Sequence, residues 1–209
     1  MPLDSLVVFF GASVLLALAP GPDNMFVLSL SLNHGPRAGL LVVSGLCSGL
    51  LVHTLLVASG LATLLLAAPA ALNLVASAGA LYLLYLAWVY WQPASDDQPS
   101  EPTNPSASPR RLYLRGFIMN VTNPKVGVFF LAFLPQFIDP THPQASLQVA
   151  LLGLLFILST ILVFGSIALV AGRYHRVIAD NAGTRLWMAR LTSLLLVLLA
   201  MKLFGNWLA

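Results

Sequence analysis

Charge is what this sequence has least of. Of 209 residues, 8% are charged and 58% are hydrophobic, against about 25% and 45–50% in soluble domains. So little charge does not cover a soluble surface, and the chain reads as an integral, all-α membrane protein. Cysteine is almost missing. Cys47 stands alone, which excludes an intrachain disulfide, a CxxC redox pair and a thiolate metal cluster. There is no P-loop, so ATP is not the direct energy source. No nucleophile–base–orienter set lies inside the apolar segments, which argues against hydrolysis in the membrane. His34, His142 and His175 fall in predicted loops. That leaves His53 and Asp23 at depth, too few for a metal site. The net charge of +3 is no nucleic-acid signal, because the basic residues sit between apolar segments, where they set orientation. No cofactor is implied.

What is there is a series of long apolar runs. A helix needs about 20 apolar residues to cross the hydrocarbon core, and six such spans can be drawn: 5–32, 38–66, 70–91, 112–137, 145–171 and 186–207. The first resembles a signal peptide, since Ala17-Leu18-Ala19 mimics a cleavage site. Its n-region, however, carries Asp4 and no Lys or Arg, so it is expected to be retained. The third ends in Tyr82, Tyr85, Trp88, Tyr90 and Trp91, residues that favour a membrane–water boundary. Residues 92–111 hold five prolines among Ser, Asp and Glu and read as a flexible linker. The linker separates a first unit, 1–91, from a second, 112–209. The first, third and fifth loops carry Arg37, then Arg110, Arg111 and Arg115, then Arg173, Arg176 and Arg185. The second and fourth carry no Lys or Arg. The positive-inside rule places the odd loops and the linker in the cytoplasm, with both termini outside.

Two spans are interrupted. In the first, Pro20-Gly21-Pro22 removes two backbone donors around a permissive joint, and Asp23 and Asn24 follow at once. In the fourth, the run is Asn120-Val121-Thr122-Asn123-Pro124-Lys125. Broken helices at membrane depth are tolerated where the freed backbone lines a cavity or is buried in protein. Paired breaks in the two halves of a chain point to a transporter's midplane site. Three spans per half force the second half to insert upside down, so two inverted three-helix repeats are expected.

The motifs that carry a family likeness are Pro20-Gly21-Pro22-Asp23; the glycine-spaced run Gly35, Arg37, Gly39, Gly45, Gly49; the stretch from Gly79 to Leu86; and Asn123-Pro124-Lys125 followed by Phe129 to Phe137. Through these the chain resembles the LysE/RhtB family of amino-acid exporters over essentially its whole length. One departure is Ala87, where the family usually has glycine, a difference of helix packing. The resemblance implies a multi-pass protein of the bacterial inner membrane. It would export amino acids or close derivatives by proton antiport, and the RhtB-like branch implies neutral substrates such as homoserine, threonine or leucine. The alternatives are an exporter of another small metabolite or cation, and a membrane thiol–disulfide shuttle. The shuttle needs two thiols, and the chain has one.

Asp23 and Lys125 are the ionisable groups nearest the breaks. Charges at the bilayer centre cost about 2.5–3.5 kcal/mol each on insertion scales, so they need partners or water. Asp23 suits a substrate ammonium and Lys125 a carboxylate, with half-helix N–H groups assisting. Asn24, Asn120, Thr122 and Asn123 add neutral hydrogen-bonding groups. The plainer reading of Asp23 is a helix N-cap, and of Lys125 a side chain snorkelling to the interface. His53 is predicted to share a face with Gly45, Gly49, Leu56 and Gly60, directed at protein. There it would either relay protons or be held neutral by hydrogen bonds. Asp23 is the other candidate proton carrier. Gly45 and Gly49 would also suit a homodimer face, with packing inside the monomer preferred. Ser159 and Thr160, central in the fifth span, read as helix-packing polar residues.

Overall fold

The computed structural model of the chain describes residues 1–19, 21–61, 69–92, 108–139 and 142–179, together with residues 190, 193, 194, 197, 198, 200 and 201. Among the described residues there are helices and turns but no strand. Pro20, most of the linker and most of the sixth expected span lie outside them.

The first break divides its span into α1 (Leu3–Leu18) and α2 (Pro22–His34), bent by 62°. With 16 and 13 residues the halves are about 24 and 20 Å long, each short of the ~30 Å hydrocarbon core. Pro22 opens α2, where its missing N–H leaves no bond unmade. A single residue, Gly35, joins α2 to α3 (Pro36–Leu56). Its φ of 82° is a conformation that favours glycine. Helix α3 continues into a wider π turn, Val57–Leu61. Then come α4 (Pro69–Trp91) and α5 (Pro109–Val121). The second break bends the chain by 48° into α6 (Pro124–Val128), which is prolonged by a π turn, Phe129–Phe133, and a 3-10 turn, Leu134–Phe137. Helix α7 (Ala145–Ala179) follows. Among the described residues two helices are long and apolar enough to cross a membrane unbroken, over Pro36–Ser59 and Ala145–Ala171, and the bent pairs raise the number to four.

Helix α7 shows why these elements suit lipid. Its inner face buries Val149, Leu152, Phe156, Val163, Phe164 and Ala168, while Leu147, Leu154, Leu158, Ile161 and Leu169 are exposed. A helix that is apolar all round belongs in a membrane or a large core. In lipid such helices are held by close packing more than by burial itself. Among the described glycines the closest approach to another helix's backbone joins α3 to α5. A Cβ on Gly45 would stand 2.7 Å from the Phe117 nitrogen and closer still to the Tyr113 carbonyl, and one on Gly116 would strike the Val42 carbonyl. Only glycine lets the two backbones meet at these points.

These contacts also set direction. Val42 lies by Gly116 and Gly49 by Asn120, so α3 and α5 run parallel. Gly39 lies by Ala168 and Gly153 by Thr54, so α7 runs against α3. Phe9 stacks on Phe133 and meets Phe137 edge to face, while Leu16 reaches Lys125, so α1 runs against α6. Each bent pair therefore passes from one end of the bundle to the other, and neither turns back. Arg37, Arg110 and Arg111 start α3 and α5 at one end; Asp4 and Asp139 lie at the opposite end.

Several boundaries differ from the sequence reading. Pro109, Arg110 and Arg111, expected in the linker, form the first turn of α5 after Ser108, because proline at the first helical position is already shaped for a helix. His34 ends α2 and His175 lies within α7, so neither is in a loop. The face carrying Gly45, Gly49 and His53 continues to buried Val57, whereas Leu56 is exposed. Gly45 and Gly49 are occupied by α5, which leaves neither free for a homodimer face.

Candidate functional site

Breaking a helix frees the carbonyls of its last turn. In α1 the Leu16 carbonyl would bond residue 20, a proline with no N–H to give. The partners come from both breaks. Lys125 Nζ donates to the Leu16 and Ala19 carbonyls at 3.2 and 3.1 Å. Asn24 Nδ2 donates to the Ala17 carbonyl at 2.8 Å, and the Ala19 N–H closes onto Leu15 at 3.0 Å. An ammonium at the C-terminal end of a half-helix also meets the negative end of its dipole.

Asn123 ties the second break to the first. Its Oδ1 accepts from the Lys125 backbone N–H at 3.0 Å, capping α6, and its Nδ2 donates to Asp23 Oδ2 at 2.5 Å. Asp23 is therefore not the N-cap of α2. That place belongs to Gly21, while Asp23 sits in the first turn with its side chain turned across to the other half. Lys125 does not snorkel, being 6% exposed against 4% for Asp23. Among the described residues no ion pair joins the two; each is held by neutral groups.

Both nevertheless face one cavity of about 20 Å³, enough for roughly one water. Its walls are Leu16, Ala17, Leu46, Val126, Phe156 and Phe164, and its polar lining adds Asn120 and Thr160 to Asp23 and Lys125. It lies between two apolar clusters. One is built on Phe9, Phe129, Phe130 and Phe133, the other on Val27, Val42, Leu46 and Phe164. His53 stands beside it: Nε2 is 3.3 Å from the Asn120 carbonyl and the ring lies 5.4 Å from that of Phe130.

Of the residues singled out in the sequence, Asp23, Asn24, Asn120, Asn123 and Lys125 come together here. Thr122 does not; it is exposed, and its hydroxyl bonds its own helix at Ile118. Thr160, expected as a helix-packing residue, also lines the cavity. It stands four residues from both Phe156 and Phe164, so all three share one face of α7, a spacing visible in the sequence but not attributable to a site without the breaks opposite. Among the described residues no group of three or more His, Cys, Asp or Glu side chains gathers to hold a metal.

Broken helices that meet around a small polar cavity in an apolar bundle are a feature that membrane transporters share. Residues 14–206 match the family model described as LysE type translocator, and the chain belongs to that family, one of transporters and not of enzymes. It is 36% identical over 161 residues to a homoserine/homoserine lactone efflux protein of Salmonella typhimurium, covering 77% of each chain. A protein of the same description from Salmonella typhi gives the same figures. An uncharacterized membrane protein of Vibrio cholerae is 34% identical over 191 residues, covering 89% of this chain and 90% of the other. No solved structure matches.

Proposed function

We propose that this chain exports small neutral amino acids of the homoserine type from the cytoplasm across the bacterial inner membrane, in exchange for protons. The observation that carries the reading is the shared cavity. One carboxyl and one ammonium, from two different breaks, line it without pairing with each other. A zwitterion offers the complementary pair. Asp23 takes the substrate ammonium, and Lys125 takes the carboxylate by exchanging it for the Leu16 and Ala19 carbonyls. Binding then loosens the end of α1, which lets the first break move. The cavity is far too small for an amino acid, so transport requires such an opening. Protonation of Asp23 weakens its hold on the ammonium and couples protons to release, with His53 as relay.

The family match and the efflux relatives support the direction of transport. Asn123, Asn24 and Asn120 complete the binding set. The parallel course of α3 and α5 and the arginines at one end of the bundle support an orientation with the linker in the cytoplasm and both termini outside. In the full reading, α4 and the last segment complete six spans, arranged as two inverted repeats. The test is counterflow in proteoliposomes with a panel of amino acids. Uptake of labelled homoserine against preloaded homoserine, with a pH gradient driving net flux, is the expected result; no exchange of any amino acid refutes the reading.

A further inference from the structure

Thr160 is 2% exposed and lines the cavity. Hydroxyls on membrane helices ordinarily bond back to a carbonyl of their own helix, and the neighbours of Thr160 do so. Ser159 donates to Phe156 at 2.8 Å and Ser166 to Leu162 at 2.5 Å, and across the bundle Thr54 donates to Leu50 at 2.8 Å. Thr160 makes no such bond with any described residue. The hydroxyl is thus left to the cavity that the residue lines. Asn120 stands on the cavity with it, 4% exposed, with its amide oxygen unpartnered against Gly49. The apolar flanks of Thr160 are Phe156 and Phe164, one helical turn to either side.

We propose that Thr160, with Asn120 beside it, is the side-chain subsite of the transporter and selects substrates whose short side chain carries a hydroxyl. This rests on the reading of Asp23 and Lys125 as holders of the zwitterion. Those two groups belong to the broken helices, and α7 is the unbroken wall on the same cavity. A substrate held by its ammonium and carboxylate at the breaks turns its side chain to α7. There Thr160 exchanges a hydrogen bond with a hydroxyl on the β- or γ-carbon, and the two phenylalanines limit length and branching. A site built to bond a hydroxyl rejects the analogue that lacks it, because the protein group is then left unpaired.

The experiment uses full-length protein in proteoliposomes and compares homoserine with 2-aminobutyrate, which differs by the loss of the hydroxyl. The parent is expected to exchange homoserine about tenfold better at limiting concentration. Thr160→Val, close in shape, should bring the ratio to about one by losing homoserine exchange while keeping that of 2-aminobutyrate; Thr160→Ser should keep the parent ratio. Equal exchange of the two substrates by the parent overturns the subsite and leaves the zwitterion bracket standing, and this measurement needs no variant to fold. An unchanged ratio in Thr160→Val also overturns it. Exchange of no amino acid by the parent removes the bracket and the subsite together.

Discussion

Replacing Asp23 by asparagine and Lys125 by glutamine, singly and together, separates a substrate bracket from a permanent ion pair. The structure sets the stability cost of each. Lys125 holds two carbonyls of α1 at 3.2 and 3.1 Å, and hydrogen bonds from charged groups contribute about 1.5–3 kcal/mol each. Glutamine is shorter and neutral and recovers at most one bond of about 1 kcal/mol, so Lys125→Gln should cost about 2–5 kcal/mol. Asp23→Asn retains an oxygen for the Asn123 amide and exchanges a charged bond for a neutral one, at about 1 kcal/mol. Since no ion pair joins the residues, the double variant should be no more stable than Lys125→Gln alone. A permanent pair predicts the reverse, because one stranded buried charge costs about 3–5 kcal/mol and its removal restores stability. Thermal unfolding in detergent reads stability, and proteoliposome counterflow reads exchange. Both single variants should bind substrate poorly, and the double variant should not recover. Recovery of exchange in the double variant refutes the bracket, and recovery of stability refutes the assignment of Lys125 to the α1 carbonyls.

His53→Gln keeps a donor for the Asn120 carbonyl and should preserve counterflow while weakening pH-driven export; export equal to the parent's would make His53 structural and leave proton carriage to Asp23. Ser100→Cys should be labelled by an impermeant thiol reagent in inside-out vesicles and not in intact cells, and labelling of intact cells would invert the proposed orientation. Gly45→Ala places a methyl group against the α5 backbone and should lower stability by about 1–3 kcal/mol. Gly11→Ala, in the middle of α1 with nothing near its added carbon, should raise it by about 0.5–1 kcal/mol. Thermal midpoints that do not rank in that order would show the α3–α5 approach to be looser than drawn.

Most of the helical course was legible because the signals were local. Pro20-Gly21-Pro22 and Asn123-Pro124 break helices wherever they occur, and the apolar stretch Ala145–Ala171 has the bounds read from hydropathy alone. The errors arose where local cues compete. The linker ended late because Pro109 reads as one more proline of a loop, although the arginines and leucine after it make it the opening residue of α5. Leu56 was placed on the packed face by an ideal helical period. Buried Val57, whose N–H bonds the His53 carbonyl as in an ordinary α turn, follows His53 on that face instead, and the wider turn opens only there. No periodicity in the sequence announces a π turn.

The site was legible in its membership more than in its wiring. Charge at depth beside a break identifies Asp23 and Lys125, yet which group satisfies which depends on how the halves meet. Lys125 goes to α1 because prolines 20 and 22 leave that helix short of donors. The need is visible in residues 16–22; the donor lies more than 100 residues away. Asn123 is the clearer case. As a residue before proline it reads as a simple cap, and it is one, but an asparagine has a donor as well as an acceptor. Once Oδ1 is committed to the Lys125 N–H, Nδ2 must find an acceptor in a buried place, and the Asp23 carboxyl supplies it. Aspartate at position 123 would keep the cap and lose the donor, bringing two carboxyls together in the core. Asparagine there is thus required by the junction of the two breaks and not by either helix alone.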